Sequence, residues 1–212
     1  METLSIVSPK IRKKETSTTM GCSSLKETET KIVLKNCREI EEITKLLGEK
    51  GFKFMEEVYE EDHYFNHPCR DLRETDEALR IRISDKKHQT TPSRRYTLTY
   101  KGPKKMTGKA KSREEVVVEI DNPEDLRYLL EKLGFNKVGI VRKTRKYYRR
   151  EAVTVSLDIV DKLGCFVEIE VEQGVSKVSE MINRIIKELD LNNYTFTHKS
   201  YLELLLEKRV KI

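Results

Sequence analysis

The 212-residue chain is 37% hydrophobic and 37% charged, with a formal net charge of +6. One domain is the default at this length, and the lack of any run of 18 apolar residues excludes a membrane-spanning helix. The positive balance suits a polyanionic partner but does not by itself imply nucleic acid, because acids and bases alternate along nearly every segment.

Residues 1–26 are rich in Lys, Ser and Thr, show no periodicity and read as a disordered tail. The start, Met1-Glu2-Thr3-Leu4, lacks a basic region followed by an apolar stretch, so the expected location is cytoplasmic, without a secretory leader. Met20-Gly21-Cys22 faintly resembles an acylation start, but Leu25 then falls where Ser or Thr is required. Cys22, Cys37, Cys69 and Cys165 are scattered without a C-x-x-C pair, which predicts free thiols in a reducing compartment.

The first strand is expected over Glu27 to Leu34. Arg38 to Lys50 carries Ile40, Ile43, Leu46 and Leu47 at helical spacing, and Gly51 is its stop. Further strands are expected over 52–66, 78–83, 95–101 and 112–120. A loop is expected at 67–72, a polar insert at 85–93 and a Lys- and Gly-bearing loop at 102–111. Asn122 followed by Pro123 predicts a capped helix ending at Gly134. Strands over 138–149, 152–160 and 165–172 follow, then helices over 176–189 and 200–208. The predicted order is β-α-β-β-β-β-α-β-β-β-α-α, and the alternation within its strands favours antiparallel sheet.

Alternate residues of a strand share a face, and here each polar row is charged. Glu27, Glu29 and Lys31 form one row. Others are Arg80 with Arg82; Thr97, Thr99 and Lys101; and Lys111, Arg113, Glu115 and Glu119. The last three are Lys143 with Arg145, Ser156 with Asp158, and Glu168, Glu170 and Glu172. Two architectures suit such rows. A sheet could show them to solvent, or eight strands could close into a barrel that takes them into its lumen. Singly, each row is an ordinary solvated face. Together they would form a nearly neutral lumen complementary to a metal–polyphosphate complex, since Arg and Lys grip phosphate while carboxylates hold Mg²⁺ or Mn²⁺. His63, His67, His88 and His198 fit no metal spacing and read as loop or surface residues. Gly102-Pro103-Lys104-Lys105 lacks the glycine spacing of a phosphate loop.

The ordered set Glu27-x-Glu29-x-Lys31, Arg80-x-Arg82, Lys101, Lys143-x-Arg145, Asp158 and Glu168-x-Glu170 resembles the CYTH superfamily of triphosphate tunnel metalloenzymes. Asp62-His63-Tyr64-Phe65, Thr99 to Pro103, Leu163 to Glu170 and Lys199 to Leu205 look most like its class IV adenylyl cyclases. The resemblance spans about 27–207. It implies an α+β fold: a closed eight-stranded antiparallel tunnel with helices outside. It also implies a Mg²⁺ or Mn²⁺ requirement and action on ATP or another triphosphate, and family members are often homodimers; no membrane partner is expected, and the absence of Trp for base stacking makes nucleic acid the lesser expectation. By resemblance Lys31, Arg80, Arg82, Lys101, Arg113, Lys143 and Arg145 bind the triphosphate. Glu27, Glu29, Glu115, Asp158, Glu168 and Glu170 hold metal, and Glu29, Lys31, Lys101 and Asp158 carry the chemistry. Val117 stands where an additional inward acid is often found, which leaves the number of metal-holding carboxylates open. ATP cyclisation to cyclic AMP and pyrophosphate is the leading activity. Hydrolysis of tripolyphosphate, a nucleoside triphosphate or thiamine triphosphate is the alternative, and a non-catalytic barrel binding polyphosphate or nucleic acid is a third reading.

Overall fold

The computed structural model describes residues 25–88, 93–172 and 174–210. The tail expected over 1–26 lies, through residue 24, outside the described residues. Elements follow in the order β1 (Leu25–Val33), α1 (Glu39–Glu49), β2 (Lys53–Asn66), β3 (Ala78–Lys86), β4 (Arg94–Lys101), β5 (Lys105–Thr107) and β6 (Ala110–Ile120). Then come α2 (Pro123–Lys132), β7 (Asn136–Arg150), β8 (Val153–Val160), β9 (Gly164–Val171), α3 (Val178–Glu188), β10 (Thr195–Thr197) and α4 (Tyr201–Val210).

Eight strands close into an antiparallel barrel, in the order β1-β9-β8-β7-β2-β3-β4-β6, with β6 returning to β1. Closure is made on one edge of β1. Leu25 to Glu29 pair with β6, and Lys31 to Val33 pair with β10 on the same side. The edge that would otherwise invite another chain is thereby used up. The helices lie outside, as alternation requires. Ile32, Val155, Leu157, Val167, Ile169 and Val171 point outward into a core with Ile40, Ile43 and Leu47 of α1 and Ile182, Ile185 and Ile186 of α3. Each such side chain contributes about 1.5–3 kcal/mol by leaving water. A smaller core under α2 holds Phe65, Ile81 and Leu130. A third, of Tyr64, Val141, Val160, Phe166, Tyr201 and Leu205, packs at one end of the barrel beneath α4.

The helix ends follow local chemistry. Gly51, past the end of α1, takes a left-handed φ of 79°, which costs glycine nothing. Asn122 accepts from the amides of Glu124 and Asp125 at 3.0 and 3.2 Å. Ser200 and Glu203 form a reciprocal capping box on α4: the Glu203 amide donates to Ser200 Oγ at 3.2 Å, and the Ser200 amide donates to Glu203 Oε2 at 2.6 Å.

Two expectations need correction. The loop expected at 102–111 contains β5, a short hairpin arm paired with β6, whose polar residues carry no apolar alternation. Cys37 and Cys165 are not free thiols but a disulfide that ties the loop before α1 to the start of β9; only Cys69 among the described cysteines is free. Scattered spacing could not reveal this pair, because strand register brings the two together. His63 lies within β2, inside the strand expected over 52–66, with its ring 2.6 Å from Glu61.

Candidate active site

The barrel sends the charged rows inward, and register sets most of the acids beside a base. Lys31 lies opposite Glu168, and Glu29 opposite Lys111 on one side and Glu170 on the other. Arg145 faces Asp158, and Asp62 faces Arg82. These rows surround a cavity of about 470 Å³ lined by ten basic and nine acidic side chains. Of the residues expected at the site, Glu29, Lys31, Arg80, Arg82, Lys101, Arg113, Glu115, Lys143, Arg145, Glu168 and Glu170 all line it. The Glu27 side chain lies outside the described residues, and its backbone pairs with Arg113. Val117 is opposite Thr99 and half exposed.

The deepest cluster centres on Asp62, which sequence reading gave no role. Arg82 donates to both of its oxygens, at 2.6 and 2.8 Å, while Arg80 and Lys143 each donate at 3.3 Å. Glu60 beside it lies 2.6 Å from Lys143 and 3.1 Å from Arg82. Burial alone would raise the Glu60 pKa, but Arg82, Lys143 and Arg145 outweigh it and bring it down to about 2. The same contest, won by Arg82, Lys143 and Arg80, holds Asp62 well below the usual carboxylate range. Glu60 and Asp62 did carry a signal: they alternate on β2 in phase with Tyr64.

A second cluster joins β1, β7, β8 and β9. Glu168 accepts from Arg145 and lies 3.1 Å from Lys31. Against the cost of burial, Arg145 and Lys31 hold the Glu168 pKa well down. Burial lowers the Lys31 pKa, and Glu168 offsets that only in part. Asp158 is wholly buried and does not line the cavity. Its carboxylate accepts from Arg145 Nε at 2.6 Å and from the Tyr201 hydroxyl at 2.6 Å. The Tyr201 ring in turn lies under Lys31 Nζ, 3.8 Å from the ring centroid. Asp158 therefore aims Arg145 rather than meeting the cavity itself. Tyr201 was legible only as part of a family-like closing stretch.

Elsewhere along the cavity wall, Lys101 and Glu115 lie 3.2 Å apart and Lys111 and Glu29 2.9 Å apart. Arg113 donates to the carbonyls of Gly102, Asp76 and Lys101 at 2.8, 3.0 and 3.3 Å. That use braces the β4–β5 turn against the loop before β3. One donor stands out: the buried Nε of Arg80 has no hydrogen-bond partner, a costly state unless a ligand answers it.

The acids fit a divalent cation in one place. Glu29 and Glu170 are directly opposed across β1 and β9, about 5 Å apart at Cβ for such pairs, where two like charges repel. Among the described residues no three acids, histidines or cysteines converge as a ready metal site. Mg²⁺ does not require that, since it is commonly held by one or two carboxylates together with substrate phosphates and water. The pair Glu29 and Glu170 meets this pattern.

A family model for the CYTH domain matches residues 25–201. A Methanocaldococcus jannaschii protein provisionally named an adenylate cyclase is 41% identical over 184 residues, covering 84% of this chain and 96% of that protein. A solved structure from Pyrococcus horikoshii OT3 is 41% identical with a TM-score of 0.73, covering 86% of this chain and 99% of the other. A Hippeastrum protein, described as a suspected adenylyl cyclase with a dominant triphosphatase activity, shares the fold at 23% identity and a TM-score of 0.63, over 86% of this chain and 96% of that one. With the closed barrel and its paired charged rows already in view, these matches establish that the chain belongs to the CYTH domain family.

Proposed function

We propose that this protein is a divalent-metal-dependent enzyme that cyclises ATP to cyclic AMP and pyrophosphate. The observation that carries the triphosphate reading is the unanswered Arg80 Nε, buried beside a cavity where Arg82, Lys143, Arg145 and Lys31 already converge. Phosphate oxygens would supply the missing acceptor. Lys31, Arg80, Arg82, Lys101, Lys143 and Arg145 grip the chain of phosphates, with Lys111 added from the structure. Asp62, Glu60 and Asp158 hold the guanidinium forks in register for bidentate contact. Glu29 and Glu170 hold Mg²⁺ or Mn²⁺; Glu168, two residues before Glu170 on β9, and Glu115, set against Lys101 and Arg80, are further acids of the expected set. Bound there, the ion neutralises charge that develops on the phosphate oxygens.

In the cyclase reaction the ribose 3′ oxygen bonds to the α-phosphorus as the bond to the bridging oxygen breaks, and the hydroxyl proton is released. Pyrophosphate leaves with its new charge facing the buried lysines and arginines. The provisional name of the 41% identical M. jannaschii relative supports this outcome. Hydrolysis is the second reading, favoured by the exposure of Glu170, which gives water a path to the acid pair. Its substrate would be tripolyphosphate, a nucleoside triphosphate or thiamine triphosphate. A barrel that only binds polyanions would have little use for opposed acids in its lumen. Pairing into homodimers, read by light scattering, and a cytoplasmic location belong to the same proposal.

Incubation with ATP or tripolyphosphate, each with Mg²⁺ and then Mn²⁺, separates the readings. Cyclic AMP with pyrophosphate supports the cyclase, and orthophosphate without cyclic product supports the hydrolase. Turnover that survives EDTA would refute metal dependence. Ligand binding without turnover, weakening steadily with salt and indifferent to chelation, would leave the binding module.

A further inference from the structure

The helix packed at the barrel end, α4, shows two unlike faces. Tyr201 and Leu205 seat it in the apolar cluster at that end. Leu202, Glu203, Leu206 and Glu207 line the cavity instead, at the i, i+4 spacing that keeps each pair on one side of a helix. Across from them stand Arg73, Asp76 and Lys104. Arg73 and Glu207 are exposed, whereas Lys31 and Lys143 are 3% and 2% exposed. The cavity thus runs from an open rim at α4 into the buried cations of the lumen.

The chemistry changes along that path. In the lumen, cations crowd around places a phosphate can reach. At the rim, Lys104 is held by Asp76 at 2.8 Å and by Glu203 at 3.0 Å, and Arg73 by Asp71 at 2.6 Å. These two cations share the rim with three cavity-lining acids, Asp76, Glu203 and Glu207, so another phosphate would meet net negative charge there. Beside these pairs, Leu202 and Leu206 turn apolar surface toward a cavity whose other lining is mostly charged. An apolar wall with a few polar groups is what an organic ligand group requires, and it is a poor neighbour for a phosphate.

Resting on the triphosphate reading, we infer that the inward face of α4 is the specificity surface: it selects an uncharged or cationic organic ring at the outer end of the phosphate chain, and it disfavours a further phosphate. The terminal phosphates lie innermost, against Lys143 and Arg82, and the ring packs on Leu202 and Leu206 with Glu203 and Glu207 at its edge. Leu206 is the clearest probe, since it lines the cavity without belonging to the apolar cluster that seats the helix.

The test is calorimetric titration of the full chain, with Ca²⁺ as the divalent ion to restrain turnover. Its ligands are ATP, inorganic tripolyphosphate and linear tetrapolyphosphate. ATP should bind at least about tenfold tighter than tripolyphosphate, with tetrapolyphosphate weakest. Leu206→Ala should bring the ATP-to-tripolyphosphate ratio to within roughly threefold of unity, while Leu206→Met, which keeps the volume, should preserve it. If the native protein binds both but prefers the inorganic chain, or if the preference survives Leu206→Ala, the triphosphate reading stands and this inference is overturned. Binding of none of the ligands by the native protein ends both.

Discussion

Asp62→Asn should cost stability and should be repaired by the ligand. Asp62 is 1% exposed and answers three cations, Arg80, Arg82 and Lys143. Asparagine keeps the volume but removes the charge, leaving those cations crowded with Glu60 and Glu115 as their remaining acids. Removing one partner from a buried ion pair costs about 3–5 kcal/mol. At about 2–4 °C per kcal/mol for a chain of this size, the ligand-free variant should melt roughly 6–20 °C below the native protein. Tripolyphosphate supplies negative oxygens to the same cations, so it should stabilise the variant more than the native chain and narrow the gap. At a hundred times its Kd any ligand of the native state adds about 2.7 kcal/mol, so a difference between the two proteins is well within reach of thermal denaturation followed by circular dichroism. A variant melting within about 2 °C of native, or an equal ligand shift in both proteins, would refute the idea that Asp62 is the charge the substrate stands in for.

Other outcomes follow from the same contacts. Glu29→Gln should lower metal-dependent turnover about a hundredfold, equivalent to about 2.7 kcal/mol, while leaving the melting temperature close to native; a change in stability without a change in turnover would make Glu29 structural. Glu60 has its pKa depressed from 4.5 to about 2, so its stabilising contribution is intact above about pH 4.5 and is lost as pH falls toward 2. Melting temperature measured across that window should fall less steeply in Glu60→Gln, and parallel curves would count against the assignment. The Cys37–Cys165 bridge spans a sequence separation of 128. Its reduction, or Cys37→Ser, should lower the melting temperature by roughly 5–15 °C, and an unmoved transition would show that the cross-link contributes nothing.

Much of this architecture was legible because period-two alternation survives in single strands. Glu29, Lys31, Arg80, Arg82, Glu168 and Glu170 could be assigned to common faces before any register was known. Asp62 and Glu60 alternate just as cleanly, yet β2 is long and bulged between Tyr64 and Phe65, and its mixed aromatic and charged residues hid the inward row. The surroundings of Asp158 were hidden for a different reason. Sequence gives the direction of a side chain but not what stands in front of it, and here Arg145 and Tyr201 cover the carboxylate. Tyr201 itself lies on a helix whose hydrophobic residues occupy more than one face, so no stripe singled it out. β10, three residues long, is too short to show any period, and the Cys37–Cys165 bridge depends on tertiary proximity that spacing cannot report.

The shared edge of β1 also bears on how the protein is made. Lys31 is paired with both Glu168 and Thr197, so on a ribosome the strand emerges long before most of its partners. Neighbouring strands such as β2 and β3 can zip together during synthesis, but the ring stays open until β9 has left the exit tunnel. Such distant pairing slows folding, and the waiting β1 presents bare backbone to other nascent chains. Aggregation during expression should therefore concentrate in the interval before β9 arrives, and slowing translation across that interval should worsen the yield.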